Sequence, residues 1–284
     1  MTTPPLLDVA TLVAHVSDPD WVIVDCRFDL KQSDAGRSAY EQGHIPGARY
    51  AHLDDDLAAR PTRSDGRHPL PTPEAFAERL GSWGIANTST VVVYDEGPGA
   101  IAARLWWMLR WVGHERVAVL NGGLKAWELH GLTLERTRPT WERAKFSVTA
   151  LHDDWVVQIE DLPGLLAQSA LLLDARSEER FLGLEEPIDP IAGHVPGARN
   201  FPFSKSLASS GTLRTATALR GELEPLVGKR DIADVIAMCG SGVTACHLLL
   251  SLCVAGFGDG RLFVGSWSQW IRDPNRPVAP DEPC

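Results

Sequence analysis

Cys239 stands in the heptapeptide "CGSGVTA", where the apolar run "VIAM" ends and a longer one, "CHLLLSLCVAGF", begins. The first run suits a buried strand and the second a buried helix, so the thiol falls at a strand-to-helix turn. Gly240, Ser241 and Gly242 are small enough for the backbone to curl with successive N–H groups facing inward. The helix expected from about Thr244 adds the positive end of its dipole. Such donors favour the thiolate, which is the nucleophilic form of cysteine. A thiolate held this way can attack phosphorus or sulfur. Cysteine-dependent phosphatases, which use a similar loop, need an arginine six residues after the cysteine to clamp the phosphate dianion. Ala245 occupies that position and the loop contains neither Arg nor Lys, so its short, small-residue course suits a sulfur atom.

The other four cysteines, Cys26, Cys246, Cys253 and Cys284, complete an odd and sparse set. That pattern is not a disulfide framework and fits a reducing, cytoplasmic setting. Cys246 and Cys253 lie seven residues apart on the expected helix, a rise of roughly 10 Å. This separation is too long for a disulfide between them or for one shared zinc, so they are expected to pack in the core. The net charge of −10 argues against nucleic acid as a partner. No polybasic segment, basic-then-apolar leader or membrane-length apolar run stands out; Arg104 and Arg110 interrupt "AIAARLWWMLRWV".

The elements that place Cys239 occur twice. "GHIPGAR" at 43–49 returns as "GHVPGAR" at 193–199, and each follows an apolar run closing on Asp-x-Arg: Asp25 and Arg27, then Asp174 and Arg176. "TVVVYDEGPGAIAARLWWML" is matched by "DVIAMCGSGVTACHLLLSLC", and "VAVLNGGLKAW" by "GRLFVGSWSQW". Four blocks in one order mean two copies of one unit. Short Val/Ile/Leu runs alternating with helix-length segments predict an α/β fold with a mainly parallel sheet in each half, flanked by helices. The polar stretch 136–150 reads as a linker between domains 1–135 and 151–284. Cys239 then sits beyond the carboxyl end of a strand, where open parallel sheets bind ligands. The histidines of "GHIPGAR" and "GHVPGAR", His44 and His194, are expected in structural turns with backbone hydrogen bonds, and the Asp-x-Arg pairs as structural ion pairs.

Tandem copies, the "GHIPGA"-type turn in each, and "CGSGVTA" in the second together resemble the two-domain rhodanese-type sulfurtransferases, over roughly residues 5–280. The resemblance implies two tandem rhodanese-like domains, the first catalytically inert. The first-domain counterpart of Cys239 is Asp95, which cannot accept sulfur. It further implies an enzyme that moves sulfane sulfur from 3-mercaptopyruvate or thiosulfate through a Cys239 persulfide to cyanide or another thiophilic acceptor, a small thiol or a thioredoxin-like reductant among them. No metal or organic cofactor is implied. A non-catalytic module that receives persulfide sulfur from a partner protein is the alternative.

Carried over residue by residue, the family's donor-anion arginine falls on Arg180, and Gly240, Gly242, Val243 and Thr244 join it in binding substrate. The Asp–His–Ser arrangement of mercaptopyruvate enzymes falls on Asp54, His68 and Ser241. The loop is of the mercaptopyruvate type. Ile188 in "EEPIDP" occupies the place of those enzymes' second arginine, a departure that points to thiosulfate or a broader donor preference.

Overall fold

The computed structural model describes residues 3–279. Five strands of the first half, β1 (Leu6–Leu7), β2 (Trp21–Asp25), β3 (Arg49–Tyr50), β4 (Thr90–Tyr94) and β5 (Val117–Leu120), form one sheet in the order β1-β5-β4-β2-β3. In the second half, β6 (Val156–Val157), β7 (Leu171–Asp174), β8 (Arg199–Asn200), β9 (Val235–Met238) and β10 (Arg261–Phe263) form another in the order β6-β10-β9-β7-β8. Every pairing in both sheets is parallel, and the second order repeats the first. The central strands explain the apolar runs: "TVVVY" and "VIAM" are buried at every position, as strands covered on both faces must be.

Helices cover both sheets. Ala102–Trp111 follows β4 and buries nine of its ten residues; Thr244–Val254 follows β9 and is buried from Ala245 to Leu252. Cys246 lies inside that buried stretch, with its Sγ 3.2 Å from the Gly242 carbonyl, and Cys253 is half-buried near the helix end. Cys26, Cys239, Cys246 and Cys253 form no disulfide; Cys284 lies outside the described residues. Side-chain caps set other helix starts. Thr72 accepts from Ala75 N with Pro73 in the first turn, and Thr215 accepts from Ala218 N.

The repeated motifs are structural. Asp25 and Arg27 form a bidentate ion pair, and Arg27 Nη2 also donates to the Gly43 carbonyl at 2.7 Å. Asp174, Arg176 and the Gly193 carbonyl repeat this arrangement with the same 2.7 Å contact. His44 Nδ1 lies 2.8 Å from the Tyr40 carbonyl and its ring stacks on Tyr40; His194 Nδ1 lies 2.9 Å from the Phe181 carbonyl and stacks on Phe181. In both turns the residue after Pro is a glycine at positive φ, Gly47 at 74° and Gly197 at 83°.

The described residues divide into two compact units: 3–59, Leu70–His152 and Ser209–Leu213 form the first; Arg60–Pro69, Asp153–Ala208 and 214–279 form the second. Two assignments differ from a simple cut near 136–150. The polar stretch 136–150 packs on the first unit, where Trp141 Nε1 donates to the Ser82 carbonyl, Ala144 N donates to the Gly81 carbonyl, and Phe146 is buried. The segment 60–69 belongs to the second unit. There Arg67 N donates to Ser268 Oγ and Gln269 Nε2 donates to the Ser64 carbonyl. Gly66 permits this docking because a Cβ would meet the Gly265 carbonyl oxygen at 2.4 Å.

Candidate active site

β9 is an interior strand, hydrogen-bonded between β10 and β7, and delivers Cys239 to its carboxyl end. The loop is fixed from one side. Cys239 N donates to Ser266 Oγ at 3.1 Å, the Cys239 carbonyl accepts from Trp267 N at 3.0 Å, and the Gly240 carbonyl accepts from Ser268 N at 2.9 Å. Ser266 holds a left-handed φ of 52°, uncommon for a non-glycine residue, and its hydroxyl also donates to the Phe263 carbonyl. Gly242 has φ 78°, and a Cβ there would stand 2.5 Å from the Val264 carbonyl oxygen, so only glycine fits. With the loop's carbonyls thus engaged, its N–H groups are left over. Among the described residues, the backbone N–H groups of Gly240, Ser241, Val243 and Thr244 donate to no protein acceptor. Cys239, Ser241 and Val243 are all buried.

The first unit shows what this loop geometry holds. There β4 ends at Tyr94 and Asp95 takes the position that Cys239 takes after β9. Asp95 Oδ1 accepts from Gly97 N at 3.0 Å and Gly99 N at 2.9 Å; Oδ2 accepts from Ile101 N at 2.9 Å and Ala102 N at 3.3 Å. One copy of the loop therefore closes its N–H groups on an anion carried by its own side chain. The other copy carries a short thiol and leaves donors open. A negatively charged sulfur extended by one atom is the group that such a vacant ring of donors stabilises.

Two side chains of the segment 60–69 reach the Cys239 loop within the second unit. His68 Nδ1 and Ser241 Oγ are 2.8 Å apart, and both residues are buried. This hydroxyl–imidazole pair can accept or deliver a proton beside the sulfur. Arg67 lies next to Gly240: its Nη2 is 2.8 Å from the point where a Gly240 Cβ would stand.

Arg180 comes from the short helix Glu178–Phe181, capped by Ser177, and approaches Gly240 as well, its Nη1 3.6 Å from the same point. Its charge is balanced by Glu186 and Asp189 rather than by its helix neighbours Glu178 and Glu179. Nε donates to both Glu186 oxygens at 3.0 Å, and Nη2 lies 2.8 Å from Glu186 Oε1 and 3.1 Å from Asp189 Oδ2. Asp189 also accepts from Arg67 Nη1, so it bridges two guanidinium groups. Burial works against the Glu186 carboxylate, yet hydrogen bonds from Arg180, Asp189 N and Ile188 N hold its pKa below the ordinary value. Burial pushes the Asp189 pKa up, and nearby Glu186 adds to that, against the opposing pull of Arg67 and Arg180. Ile188, in the place of a second arginine, is exposed.

Of the residues singled out from sequence, Cys239, Gly240, Ser241, Gly242, Val243, Thr244, His68 and Arg180 are all within the second unit, with contacts joining His68 to Ser241 and bringing Arg180 up to Gly240. Asp54 lies in the first unit on the helix Leu53–Asp56, where burial pushes its carboxyl pKa up. Sequence reasoning missed Arg67, Asp189, Glu186 and Ser266. The adjacency of Arg67 to His68 was the available signal for the first. Among the described residues no group of three or more His, Cys, Asp or Glu side chains could hold a metal ion, and no helix is long and apolar enough to cross a membrane.

Comparison with known proteins bears on this site. The profile of the rhodanese-like domain matches residues 8–130 and 158–273, one copy in each half. A Pseudomonas aeruginosa protein named "Probable 3-mercaptopyruvate sulfurtransferase" is 45% identical over 287 residues, covering 98% of this chain and 99% of that protein. The thiosulfate sulfurtransferase of Cricetulus griseus is 35% identical over 261 residues, covering 89% of this chain and 86% of that one. The crystal structure of SseA, a 3-mercaptopyruvate sulfotransferase from Escherichia coli, superimposes with a TM-score of 0.80 at 32% identity, covering 94% of this chain and all of that one.

Proposed function

This chain belongs to the family of rhodanese-like domains, and we propose that it is a sulfurtransferase carrying sulfane sulfur from 3-mercaptopyruvate or thiosulfate to a thiophilic acceptor through a persulfide on Cys239. The observation that carries this reading is the contrast between the two loops. Asp95 fills the first with a carboxylate, whereas Cys239 leaves unused N–H donors around a buried thiol.

The steps follow from the groups present. The Cys239 thiolate attacks the outer sulfur of the donor and a sulfur–sulfur bond forms. With mercaptopyruvate the carbon–sulfur bond breaks, its electron pair moves into the enolate of pyruvate, and the former thiol proton ends on carbon. The His68–Ser241 pair conducts that proton or orients the donor for its transfer. With thiosulfate the sulfur–sulfur bond of the donor breaks and sulfite leaves with the electron pair. The terminal sulfur of the persulfide, now anionic, is held by the N–H groups of Gly240, Ser241, Val243 and Thr244, with Gly242 giving the loop its turn. Arg180 binds the anionic end of the donor. Attack by cyanide, a small thiol or a reduced thioredoxin-like protein removes the outer sulfur and returns the thiolate, a covalent cycle with ping-pong kinetics. Asp54 enters the same scheme on family resemblance, as the acidic member of the Asp–His–Ser set.

Domains 1–135 and 151–284 divide the labour: the second carries the nucleophile, and the first has Asp95 at the corresponding loop position and cannot accept sulfur there, although its segment 60–69 packs in the second unit and lends His68 to the site. The lack of a disulfide among the four described cysteines supports a reducing, cytoplasmic setting. Intact-mass measurement after donor treatment tests the proposal. The wild type should gain one sulfur and Cys239→Ser none; no gain with either donor defeats it.

A further inference from the structure

We propose that Arg67, which no motif of the sequence marks, is the second guanidinium of the donor site, and that it binds the carboxylate of mercaptopyruvate together with Arg180. The inference rests on the sulfur-transfer reading above and names a residue that selects between its two donors.

Three observations on one face of the Cys239 loop carry it. First, the segment bearing Arg67 is held in place: the Gly66 backbone lies against Gly265, Arg67 N donates to Ser268 Oγ, and Ser268 N in turn donates to the Gly240 carbonyl. The same backbone therefore fixes both Arg67 and the loop that it approaches. Second, Asp189 is buried between Arg67 Nη1 and Arg180 Nη2, which ties the two guanidinium groups into one rigid pair. Third, both guanidinium groups end beside the Cys239 loop: Arg67 Nη2, Arg180 Nη2 and Arg180 Nη1 lie 2.8, 3.4 and 3.6 Å from the position of a Gly240 Cβ. Of these, Arg67 Nη2 and Arg180 Nη1 donate to no protein acceptor among the described residues, so each group keeps a nitrogen for a ligand.

The geometry also distinguishes the donors. Gly240 follows Cys239 directly, so its Cα is about 3.8 Å from that of the nucleophile. The carboxylate of mercaptopyruvate is three bonds from its transferable sulfur and can reach past Gly240 to both guanidinium edges while that sulfur meets Cys239. The oxygens of thiosulfate are borne by the atom bonded to the transferable sulfur and stay close to the loop N–H groups. Arg67 is thus a substrate-binding residue with a stronger hold on the longer donor. Asp189 is a positioning residue, acting through the two arginines. The missing arginine at Ile188 is replaced from a different part of the chain.

Steady-state kinetics with both donors tests this, using cyanide as acceptor and the full-length chain. Arg67→Gln should raise KM for mercaptopyruvate about 10- to 100-fold, the range for losing a charge-assisted contact, with a smaller change in kcat. The loss in kcat/KM with mercaptopyruvate should exceed that with thiosulfate by about tenfold or more. Arg67→Lys should recover only part of the loss, because a point charge replaces a planar fork. The double variant Arg67→Gln, Asp189→Asn separates binding from simple neutralisation of Asp189. Asp189→Asn alone sets the baseline, because it also releases Arg180. If Arg67 binds the donor, the double variant has a higher KM for mercaptopyruvate than Asp189→Asn. If Arg67 only balances Asp189, the two have the same KM, and the proposal falls. Equal losses with both donors in Arg67→Gln overturn it too, while wild-type turnover through Cys239 leaves the sulfur-transfer reading standing. A wild type that forms no Cys239 persulfide defeats both.

Discussion

Gly242→Ala is the substitution whose cost follows most directly from the loop geometry. Gly242 has φ 78°, a region that costs an L-residue about 1–2 kcal/mol. A methyl group there would stand 2.5 Å from the Val264 carbonyl oxygen, where real contacts are no shorter than 3.0 Å. The difference, 3.0 − 2.5, means that the loop must move by at least about 0.5 Å against backbone, which cannot swing aside as a side chain can. Strain of this kind adds about 1–3 kcal/mol, so the total destabilisation is about 2–5 kcal/mol. Gly197→Ala supplies the control. Its φ is 83° and nothing lies within 4 Å of its Cβ position, so it bears the conformational cost alone, about 1–2 kcal/mol. Urea denaturation of both variants should show Gly242→Ala as clearly the less stable. Sulfur loading at Cys239 should also slow about 100-fold in Gly242→Ala alone, since displacement of the N–H donors by a fraction of an ångström misplaces the nucleophile. Equal destabilisation by the two substitutions, or unimpaired sulfur loading in Gly242→Ala, would refute the claim that Gly242 shapes the site.

Further outcomes follow from other contacts. Asp95→Ala strips four backbone donors of their acceptor and should destabilise the first unit by about 2–4 kcal/mol in denaturant unfolding, while Cys239 still loads sulfur. His68→Ala should lower kcat with mercaptopyruvate about 100-fold and spare thiosulfate more, because only the first donor leaves a carbanion to protonate; equal losses would refute a proton-transfer role. Burial lowers the His114 pKa from 6.5 to about 4. The unfolded chain therefore binds this proton more readily, and the stability contributed by neutral His114 is lost as pH falls from 6.5 towards about 4. The loss amounts to about 3 kcal/mol, and His114→Phe should flatten that part of the stability–pH curve. For Arg180→Ala, loss of the partner that holds Glu186 ionised should raise KM for both donors and move the acid unfolding midpoint to higher pH.

Local patterns proved the most legible. Unbroken Val/Ile/Leu runs announced the central strands because such strands are covered on both faces, and "TVVVY" and "VIAM" are buried throughout. The duplicated Asp-x-Arg and "GH(I/V)PGAR" motifs gave the same contacts twice, since each depends on residues close in the chain or on one turn. The placement of Cys239 was legible for a similar reason: a buried strand, a run of small residues and a buried helix put the thiol at the carboxyl end of the strand. Arg67 was not. Its partner Asp189 lies 122 residues away, and only the glycine-to-glycine approach of Gly66 and Gly265 brings the segment there. Arg180 was singled out, but its counterions were not, because the fold of the "EEPID" loop that supplies Glu186 and Asp189 leaves no periodic trace. The stretch 136–150 read as a linker on its polarity; Trp141 and Phe146 carry the apolar surface that packs it on the first unit.

Peptide-level mass spectrometry after a single donor turnover without acceptor tests the central claim most directly. One added sulfur is expected on the peptide containing Cys239, absent from separately resolved peptides containing Cys26, Cys246 and Cys253, and removed by cyanide as thiocyanate. Added sulfur on another cysteine in place of Cys239, or none anywhere with both mercaptopyruvate and thiosulfate, would contradict it.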